Sequence, residues 1–380
     1  MWPQPSSRSG IDPFLVMELM HAAQQRAEAG DDVLHLEVGQ PATPAPKGVI
    51  AAAHLALDNE VLGYTTARGI PELRKLIASH YDDWYGESVD PNQVIITTGA
   101  TGAFVLSFLA AFDPGDRVVV PSPGYPCYRN ALSAFDVQVV DLPTTLDTKF
   151  QPTPELLEPL LPLDGLVVAS PSNPAGTMIA AADMTELANF CEAHQIRFVS
   201  DEIYHGITYG ESATTALACA PSSIVVQSFS KYFSMTGWRL GWVIAPDDLT
   251  IPIERLGQNL AISAPTLSQV AACAAFDCHD ELQANISRYS RNRQLLLEGL
   301  PKAGMDLLAP ADGAFYIYAD VSHMGIDSRD LSARWLSEIG VAASSGVDFD
   351  PTRGHEFIRF SYAGSAAEIS EAVLRLQSWV

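Results

Sequence analysis

The run Ile224-Val-Val-Gln-Ser-Phe-Ser-Lys-Tyr-Phe-Ser-Met-Thr-Gly-Trp-Arg-Leu-Gly241 joins a short apolar segment to a polar turn and a second apolar segment. Its first three residues are β-branched and uninterrupted, as in a strand that is buried on both faces. Lys231 follows after two serines, and Arg239 stands eight positions later. A lysine just past a strand is usually an exposed surface residue, because burying an unpaired charge is costly. The two hydroxyls and Arg239 would instead suit an amine nucleophile beside a bound phosphate.

Similar apolar runs lie on both sides of this one. They are Val94–Ile96, Val118–Val120, Leu166–Val168, Ile196–Val199 and Leu240–Ile244. Helical patterns separate several of them, as at Thr101–Phe112 and Asp183–His194. Strands alternating with helices predict an α/β fold with a large, mostly parallel sheet flanked by helices. In such sheets the ligand site lies at the turns that follow the strands.

The pattern changes near residue 281 and predicts a smaller α+β domain. The segments concerned are the helical Glu281–Leu300 and Ser328–Ile339 and the strand-like Ala314–Ala319 and Phe357–Phe360. One amphipathic helix near Phe14–Ala27 precedes the sheet. We therefore predict an N-terminal segment, 1–45, that packs on the small domain, a large domain, 46–280, and a small C-terminal domain, 281–380.

Composition excludes several classes of protein. The formal net charge of −23 would repel a polyanion, so no nucleic-acid partner is expected. No run approaches the ~18–20 apolar residues of a membrane span, and the N-terminus lacks a signal-peptide pattern. The five cysteines form no CxxC pair, which argues against a disulfide framework or a zinc knuckle. We expect a cytoplasmic protein without a membrane association.

Asp201 and Tyr204 follow the apolar run Ile196–Val199. A carboxylate at the end of a strand can cap a helix, hold a metal or pair with a cationic ring nitrogen. Helix capping is the simplest of these interpretations. A metal is not expected, because no His, Cys or Asp cluster near Asp201 has the spacing of metal ligands.

Two further turns are rich in small residues. Thr97–Ala103 (TTGATGA) joins a strand to a helix start, where free N–H groups and the helix dipole can bind phosphate. Ser170–Gly176 (SPSNPAG) is dense in turn formers. Its Asn173 is the one side chain able to donate to a ligand oxygen, and the Asn173–Pro174 bond is a candidate for the cis form.

Taken together and in this order, the four segments resemble the class I/II aminotransferases, which have the pyridoxal-5′-phosphate (PLP) fold type I and include aspartate aminotransferase. The resemblance extends from about Leu36 to Gly364. It implies a PLP cofactor, and Lys231 matches the lysine that holds it as a Schiff base and later moves the α-proton. Asp201 matches the partner of the pyridine nitrogen, which makes the ring an electron sink. Asn173 and Tyr204 match the two donors to the ring's phenolic oxygen.

The resemblance also implies residues that bind the rest of the cofactor. Ala100 and Thr101 match the helix start that binds the phosphate. Three more residues match the groups that support it, namely Ser228, Ser230 and Arg239. Tyr125 falls where the family stacks an aromatic ring on the cofactor. Tyr64 matches a tyrosine that crosses a homodimer interface to the phosphate of the neighbouring subunit.

Arg359, in Phe357-Ile-Arg-Phe-Ser361, matches the arginine that binds the substrate α-carboxylate. A planar carboxylate needs a bidentate fork, which arginine provides. Without the resemblance, a surface ion pair would be the simpler interpretation of Arg359. Gly39 would add a backbone contact to the same carboxylate.

Two positions depart from the family pattern. The chain has Gly-Gln-Pro-Ala-Thr at 39–43 where the family often has Gly-Glu-Pro-Asp-Phe. In one bacterial subgroup of aspartate aminotransferases, a lysine at the position of Thr101 binds the substrate's side-chain carboxylate, which Thr101 cannot do. The substrate can therefore be an aromatic, neutral or branched amino acid as readily as aspartate or glutamate.

The resemblance implies transfer of an amino group from an amino acid to a 2-oxo acid by a ping-pong mechanism. A PLP-dependent lyase or decarboxylase is the alternative on the same scaffold, because the cofactor-binding residues are shared. A ligand-sensing domain without catalysis is disfavoured, because the family-like region begins near the N-terminus and leaves no room for a DNA-binding domain.

Overall fold

Helices and strands alternate along the part of the chain that the computed structural model describes, which is Trp2 and residues 4–379. The strands are β1 (Leu34–His35), β2 (Val94–Thr97), β3 (Arg117–Ser122), β4 (Gln138–Pro143), β5 (Gly165–Ala169), β6 (Arg197–Asp201), β7 (Ile224–Ser228), β8 (Gly241–Ile244), β9 (Tyr316–Asp320), β10 (Val341–Ala342), β11 (Ser344–Ser345) and β12 (Phe357–Ser361). The α-helices are α1 (Leu15–Glu28), α2 (Lys47–Asn59), α3 (Pro71–Tyr85), α4 (Gly99–Ala111), α5 (Pro126–Ala134), α6 (Pro154–Leu157), α7 (Ala181–Ala193), α8 (Asp247–Leu260), α9 (Thr266–Cys273), α10 (His279–Gly299), α11 (Ser328–Ile339) and α12 (Ala366–Trp379). Within these described residues, every helix is too short or too polar to cross a bilayer.

Seven strands form the large sheet, in the order β2-β8-β7-β6-β5-β3-β4. The strands from β7 to β4 in that order pair in parallel. Their side chains alternate between two cores: Val118 and Val120 pack in one, and Val119 packs in the other. Both faces of the sheet are therefore covered, which explains the continuous apolar runs in the sequence. The predicted mostly parallel α/β fold is confirmed.

Strand β8 is antiparallel to both of its neighbours, β2 and β7. The connection between β7 and β8 contains no α-helix. A parallel neighbour requires a longer crossover connection, so the chain returns beside β7 in the opposite direction. This return holds Lys231 and Arg239 at the carboxyl end of β7.

Strand β4 was not predicted from the sequence. It lies at the edge of the sheet, and β3 is its only partner among the strands of the described residues. Gln138 and Asp141 are exposed, and Val139 and Val140 are half-buried. Because one side of an edge strand faces solvent, its apolar pattern is too weak to recognise.

The C-terminal part contains a three-stranded antiparallel sheet, β11-β12-β9, and its strand β10 pairs in parallel with β1 of the N-terminal segment. Asp327 caps the start of helix α11, and its Oδ1 accepts the N–H of Arg329 at 2.9 Å. Gly340 follows the last helical residue, Ile339, with a φ of 66°. The predicted smaller α+β region is confirmed.

Helix α1 contacts the C-terminal region of the chain. Asp348 accepts the N–H groups of Leu15 and Val16, each at 2.8 Å, and so satisfies two free donors at the helix start. Near the other end, Arg26 Nη1 donates to the carbonyl of Leu336 at 2.6 Å. The domain limits at residues 45 and 280 remain predictions.

Candidate active site

A cleft of about 320 Å³ opens between the carboxyl ends of the large sheet's strands and strands β9 and β12. This volume is suited to a small ligand. Its lining includes these predicted site residues: Gly39, Ala100, Thr101, Tyr125, Asn173, Asp201, Tyr204, Ser230, Lys231, Arg239 and Arg359. Ser228 and Tyr64 are the predicted residues that do not line it.

The position of the cleft follows from the sheet topology. Asp201 is the last residue of β6, and Ser228 is the last residue of β7. Strand β2 runs in the same direction, and the chain turns directly from it into α4 at Gly99. Residues far apart in sequence therefore meet at one edge of the sheet, as in other open α/β sheets.

The Lys231 amine lies within this cleft. Nζ donates a hydrogen bond to the carbonyl of Gly39 and lies 5.8 Å from the centre of the Tyr204 ring. Burial, together with the positive charges of Arg359 and Arg239, lowers the pKa of Lys231 to about 8. The negative charge of Asp201 opposes this change. A larger fraction of the amine is consequently neutral at physiological pH than for an exposed lysine, as a nucleophile or a proton acceptor requires.

The Asp201 carboxylate is buried beside the cleft. Oδ1 accepts the N–H of Ile203 at 3.1 Å, and Oδ2 accepts the hydroxyl of Tyr128. Burial raises the pKa of Asp201 to about 6, although these two hydrogen bonds and Lys231 oppose the change. No α-helix begins between β6 and β7 in the described chain, so Asp201 does not cap one. It is available to pair with a cation in the cleft.

The start of α4 faces the cleft through Ala100 and Thr101. Thr98, at the N-cap, makes no side-chain hydrogen bond to the free N–H groups of the helix. Gly99 has a φ of 75°, and a Cβ there would lie 2.5 Å from Nη2 of Arg239. Glycine thus allows the guanidinium to approach the positive end of the helix. A cation beside free N–H groups is an arrangement that can bind a phosphate.

Ser228 contacts Ser230 on the side that faces away from the cleft. Its Oγ donates to Oγ of Ser230 at 2.8 Å and accepts the N–H of Ser230 at 3.1 Å. Ser228 is buried away from the cleft, whereas Ser230 lines it. Ser228 could therefore affect a ligand in the cleft only indirectly, through the orientation of Ser230.

Arg359 is 2% exposed and is not part of a surface ion pair. Nη1 donates to Oδ1 of Asn173 at 2.9 Å, and Nη2 donates to the carbonyl of Glu37 at 2.6 Å. The guanidinium lies between the rings of Tyr316 and Phe349, 4.6 and 4.7 Å from their centres. It is fixed by these contacts and keeps its charge available, because no carboxylate of the described residues pairs with it.

Asn173 precedes Pro174 through a cis peptide bond, as the sequence suggested. Tyr204 shares a 2.7 Å hydrogen bond with the hydroxyl of Tyr316. Tyr125 lies at the start of α5, with its ring edge-on to Tyr128 at 5.5 Å between centres. These side chains form one polar and aromatic wall of the cleft.

A buried amine, a buried carboxylate and an anion site in one cleft are the arrangement that the resemblance implied. The profile of the family "aminotransferase class I and II" matches residues 31–376. The chain belongs to this family.

Individual aminotransferases match this chain in sequence and in structure over nearly its full length. The valine–pyruvate aminotransferase of Mycobacterium tuberculosis is 47% identical over 98% of this chain and 97% of its own. The crystal structure of an aminotransferase from Mycobacterium tuberculosis has a TM-score of 0.97 at 46% identity and covers 100% of this chain and 99% of its own. The aspartate aminotransferase of Thermus thermophilus, solved with maleate, has a TM-score of 0.94 at 30% identity and covers 100% of both chains.

The protein is thus an aminotransferase, an enzyme that moves an amino group between amino acids and 2-oxo acids. Transamination, rather than elimination or decarboxylation, is the activity these relatives support. The family uses PLP, and the cleft of this aminotransferase fits that cofactor. Lys231 offers an amine, the start of α4 with Arg239 offers a phosphate site, and Asp201 offers a partner for a protonated ring nitrogen.

Several residues of the cleft were not found from the sequence. Tyr128 contacts Asp201 directly, and Tyr316 contacts Tyr204. Helix α1 contributes an apolar wall of Val16, Met17 and Met20, with Phe14 just before it. Tyr128 stands three residues after Tyr125, which the resemblance had singled out, and this spacing was a usable signal. No motif connects α1 with the cleft, because its contribution depends on tertiary packing.

Proposed function

We propose that this aminotransferase binds PLP through Lys231 and takes its amino group from a neutral, aliphatic amino acid such as valine, with pyruvate as the acceptor. The observation that carries the proposal is the distribution of charge in the cleft. Three cations line it, Lys231, Arg239 and Arg359. Lys231 and Arg239 would bind the cofactor and Arg359 would bind the substrate α-carboxylate, so none of the three is left for a charged side chain.

A donor with a charged side chain would need a further cation. Thr101 is neutral, and the described residues lining the cleft offer no fourth lysine or arginine. Leaving a side-chain carboxylate without a partner in a partly buried cleft is costly. This argues against aspartate and glutamate as preferred donors.

An aliphatic side chain would find a matching surface. Val16, Met17 and Met20 of α1 form an apolar wall. Burying a valine side chain against such a surface contributes roughly 1.5–3 kcal/mol. The name of the valine–pyruvate aminotransferase that is 47% identical supports the same donor and acceptor.

The residues of the chain would divide the reaction between them. Bound PLP supplies an electron sink for the electrons of the broken Cα–H bond. Arg359 would bind the α-carboxylate with its fork, and the backbone of Gly39 would contact the same group. The neutral Nζ of Lys231 would accept the proton from Cα and return it on the cofactor side. Asp201 would remain ionised and keep the ring nitrogen protonated, while Asn173 and Tyr204 would donate to the phenolic oxygen.

Absorbance spectroscopy tests this proposal. Purified protein loaded with PLP should have a band at ~420 nm that is absent in Lys231→Ala. Addition of L-valine should convert this band to one at ~330 nm faster than L-aspartate does at the same concentration, and pyruvate should restore it. Faster conversion by aspartate would overturn the proposed donor class. If no condition produces the first band, the PLP assignment is wrong.

We also infer a cytoplasmic homodimer in which Tyr64 reaches the phosphate of the neighbouring subunit. Tyr64 is 83% exposed and Val61 is 98% exposed, although the carbonyl of Gly63 accepts the hydroxyl of Thr266 at 2.5 Å. An ordered segment that presents a tyrosine and an apolar side chain outward is typical of an interface.

A further inference from the structure

The hydroxyls of Tyr204 and Tyr316 form an isolated pair. Their oxygens lie 2.7 Å apart, and among the described residues each is the only hydrogen-bond partner of the other. Tyr204 is 4% exposed and Tyr316 is 1% exposed. The rings meet edge to face, with centres 5.6 Å apart. A phenol carries a single proton, so only one of the two can donate within the pair.

We infer that Tyr316 is a positioning residue that donates its proton to Tyr204 and so directs the Tyr204 hydroxyl toward the cofactor's phenolic oxygen. This inference rests on the proposed function, in which Tyr204 donates to that oxygen. Once Tyr204 gives its proton to the cofactor, its oxygen accepts from Tyr316. A donor that itself accepts a hydrogen bond is strengthened, so the chain from Tyr316 through Tyr204 makes the final donor stronger.

Tyr316 is fixed where this role needs it. On the small sheet, Ser361 is its direct cross-strand partner and Arg359 is the diagonal neighbour, on the same face. The Arg359 guanidinium covers the Tyr316 ring at 4.6 Å. A Cβ at Gly39 would collide with the Tyr316 hydroxyl, so glycine leaves room for it. The tyrosine has little freedom to turn away from Tyr204.

The charged groups that face the pair are Lys231, Arg359 and Asp201, and Arg239 is the other charged residue of the cleft. A Tyr→Phe exchange leaves these charges in place. Burial raises the pKa of both Tyr204 and Tyr316 above that of an exposed tyrosine. Both phenols therefore keep their protons throughout a titration between about pH 5 and pH 9. A spectral change in that range reports on the cofactor, Lys231 and Asp201, whose pKa is about 6, rather than on the tyrosines.

The experiment is a pH titration of the visible absorbance of PLP-loaded Tyr316→Phe and wild type. Donors to the phenolic oxygen lower the pKa of the cofactor's link to Lys231. We expect Tyr316→Phe to raise the pKa of that spectral transition by about half a unit to one unit, the effect of one weakened hydrogen bond. Tyr318→Phe is the matched control. Tyr318 lies two residues further along β9, is 1% exposed, and its hydroxyl has no partner among the described residues.

The double variant separates positioning from a general loss of structure. If Tyr316 acts through Tyr204, its exchange should shift the spectral pKa in wild type and have no effect in Tyr204→Phe. Equal shifts in both backgrounds, or a shift of the same size in Tyr318→Phe, would overturn the inference. So would an unchanged pKa in Tyr316→Phe. If wild type itself forms no pH-dependent band with PLP, the proposed function fails instead.

Discussion

Arg359 Nη1 donates to Oδ1 of Asn173 at 2.9 Å, although 186 positions separate the two residues. This bond fixes the orientation of the Asn173 amide: its oxygen faces Arg359, and its NH₂ group faces away and can donate to another partner. One contact thus orients both the group expected to bind the substrate carboxylate and a group expected to bind the cofactor oxygen. It also joins the turn after β5 to strand β12.

Replacing Arg359 by lysine tests the substrate anchor. Lysine keeps the charge but loses the planar fork, and the Asn173 and Glu37 contacts cannot both be kept. We expect KM for the amino donor to rise roughly 10–100-fold, with the PLP absorbance retained. Steady-state kinetics with several donors would measure the change, and Arg375→Lys, on α12 and outside the cleft lining, is the control. An unchanged KM would mean that another group binds the carboxylate.

The pKa of Lys231 predicts how fast the enzyme captures PLP at different pH values. Only the neutral amine attacks an aldehyde, and burial lowers the pKa of Lys231 to about 8 from the usual 10.5. The rate of PLP capture by the cofactor-free enzyme should therefore rise with pH and level off above about pH 8. Stopped-flow absorbance at constant ionic strength would follow it. A rate that still climbs toward pH 10 would contradict the lowered pKa.

Tyr128 should hold Asp201 in its ionised form. Its hydroxyl donates to Oδ2, which opposes the rise of the Asp201 pKa to about 6 caused by burial. In Tyr128→Phe that pKa should rise further, so Asp201 would take up a proton at a higher pH. Affinity for PLP should then weaken as pH falls through about 7, where wild type still binds. Binding titrations at several pH values would measure this, with Tyr318→Phe as the control; parallel curves for all three proteins would refute it.

The apolar wall of α1 should contribute to donor choice. Met20 lines the cleft, and Met20→Ala removes contacts that a branched side chain would make. We expect kcat/KM to fall about 3–10-fold for valine and to change little for alanine, whose side chain is too short to reach the wall. Glu18→Ala, exposed on the same helix, should leave both values unchanged. Equal losses for both donors would point to a structural effect.

Mixing two inactive variants tests the role of Tyr64 across a dimer. In a hybrid of Tyr64→Ala and Lys231→Ala subunits, one site keeps Lys231 from one chain and Tyr64 from the other. Random mixing should restore about one quarter of the wild-type rate, because half of the dimers are hybrids with one intact site. Recovery would be measured after unfolding and refolding the mixture. No recovery would place Tyr64 in the site of its own subunit, and full activity of Tyr64→Ala alone would place Tyr64 outside any site.

The sequence specified the local elements and the turns that follow them. The uninterrupted run Ile224–Val226 identified a strand buried on both faces, and α11 ends where a glycine follows its periodic pattern. Burial pattern and turn chemistry act over a few residues, so a single sequence carries them. The ordered turns at 97–103, 170–176 and 228–231 therefore indicated both the fold and the edge of the sheet where the cleft lies.

Long-range packing decided the rest. The antiparallel direction of β8, the edge strand β4, the contact of Tyr128 with Asp201 and the wall from α1 all require residues distant in sequence to meet. Arg359 illustrates the difference: its sequence alone favours a surface ion pair, and only the folded chain places it between two aromatic rings and Asn173. Such contacts depend on how strands pair and how a terminal helix packs, and neither leaves a periodic signal in the local sequence.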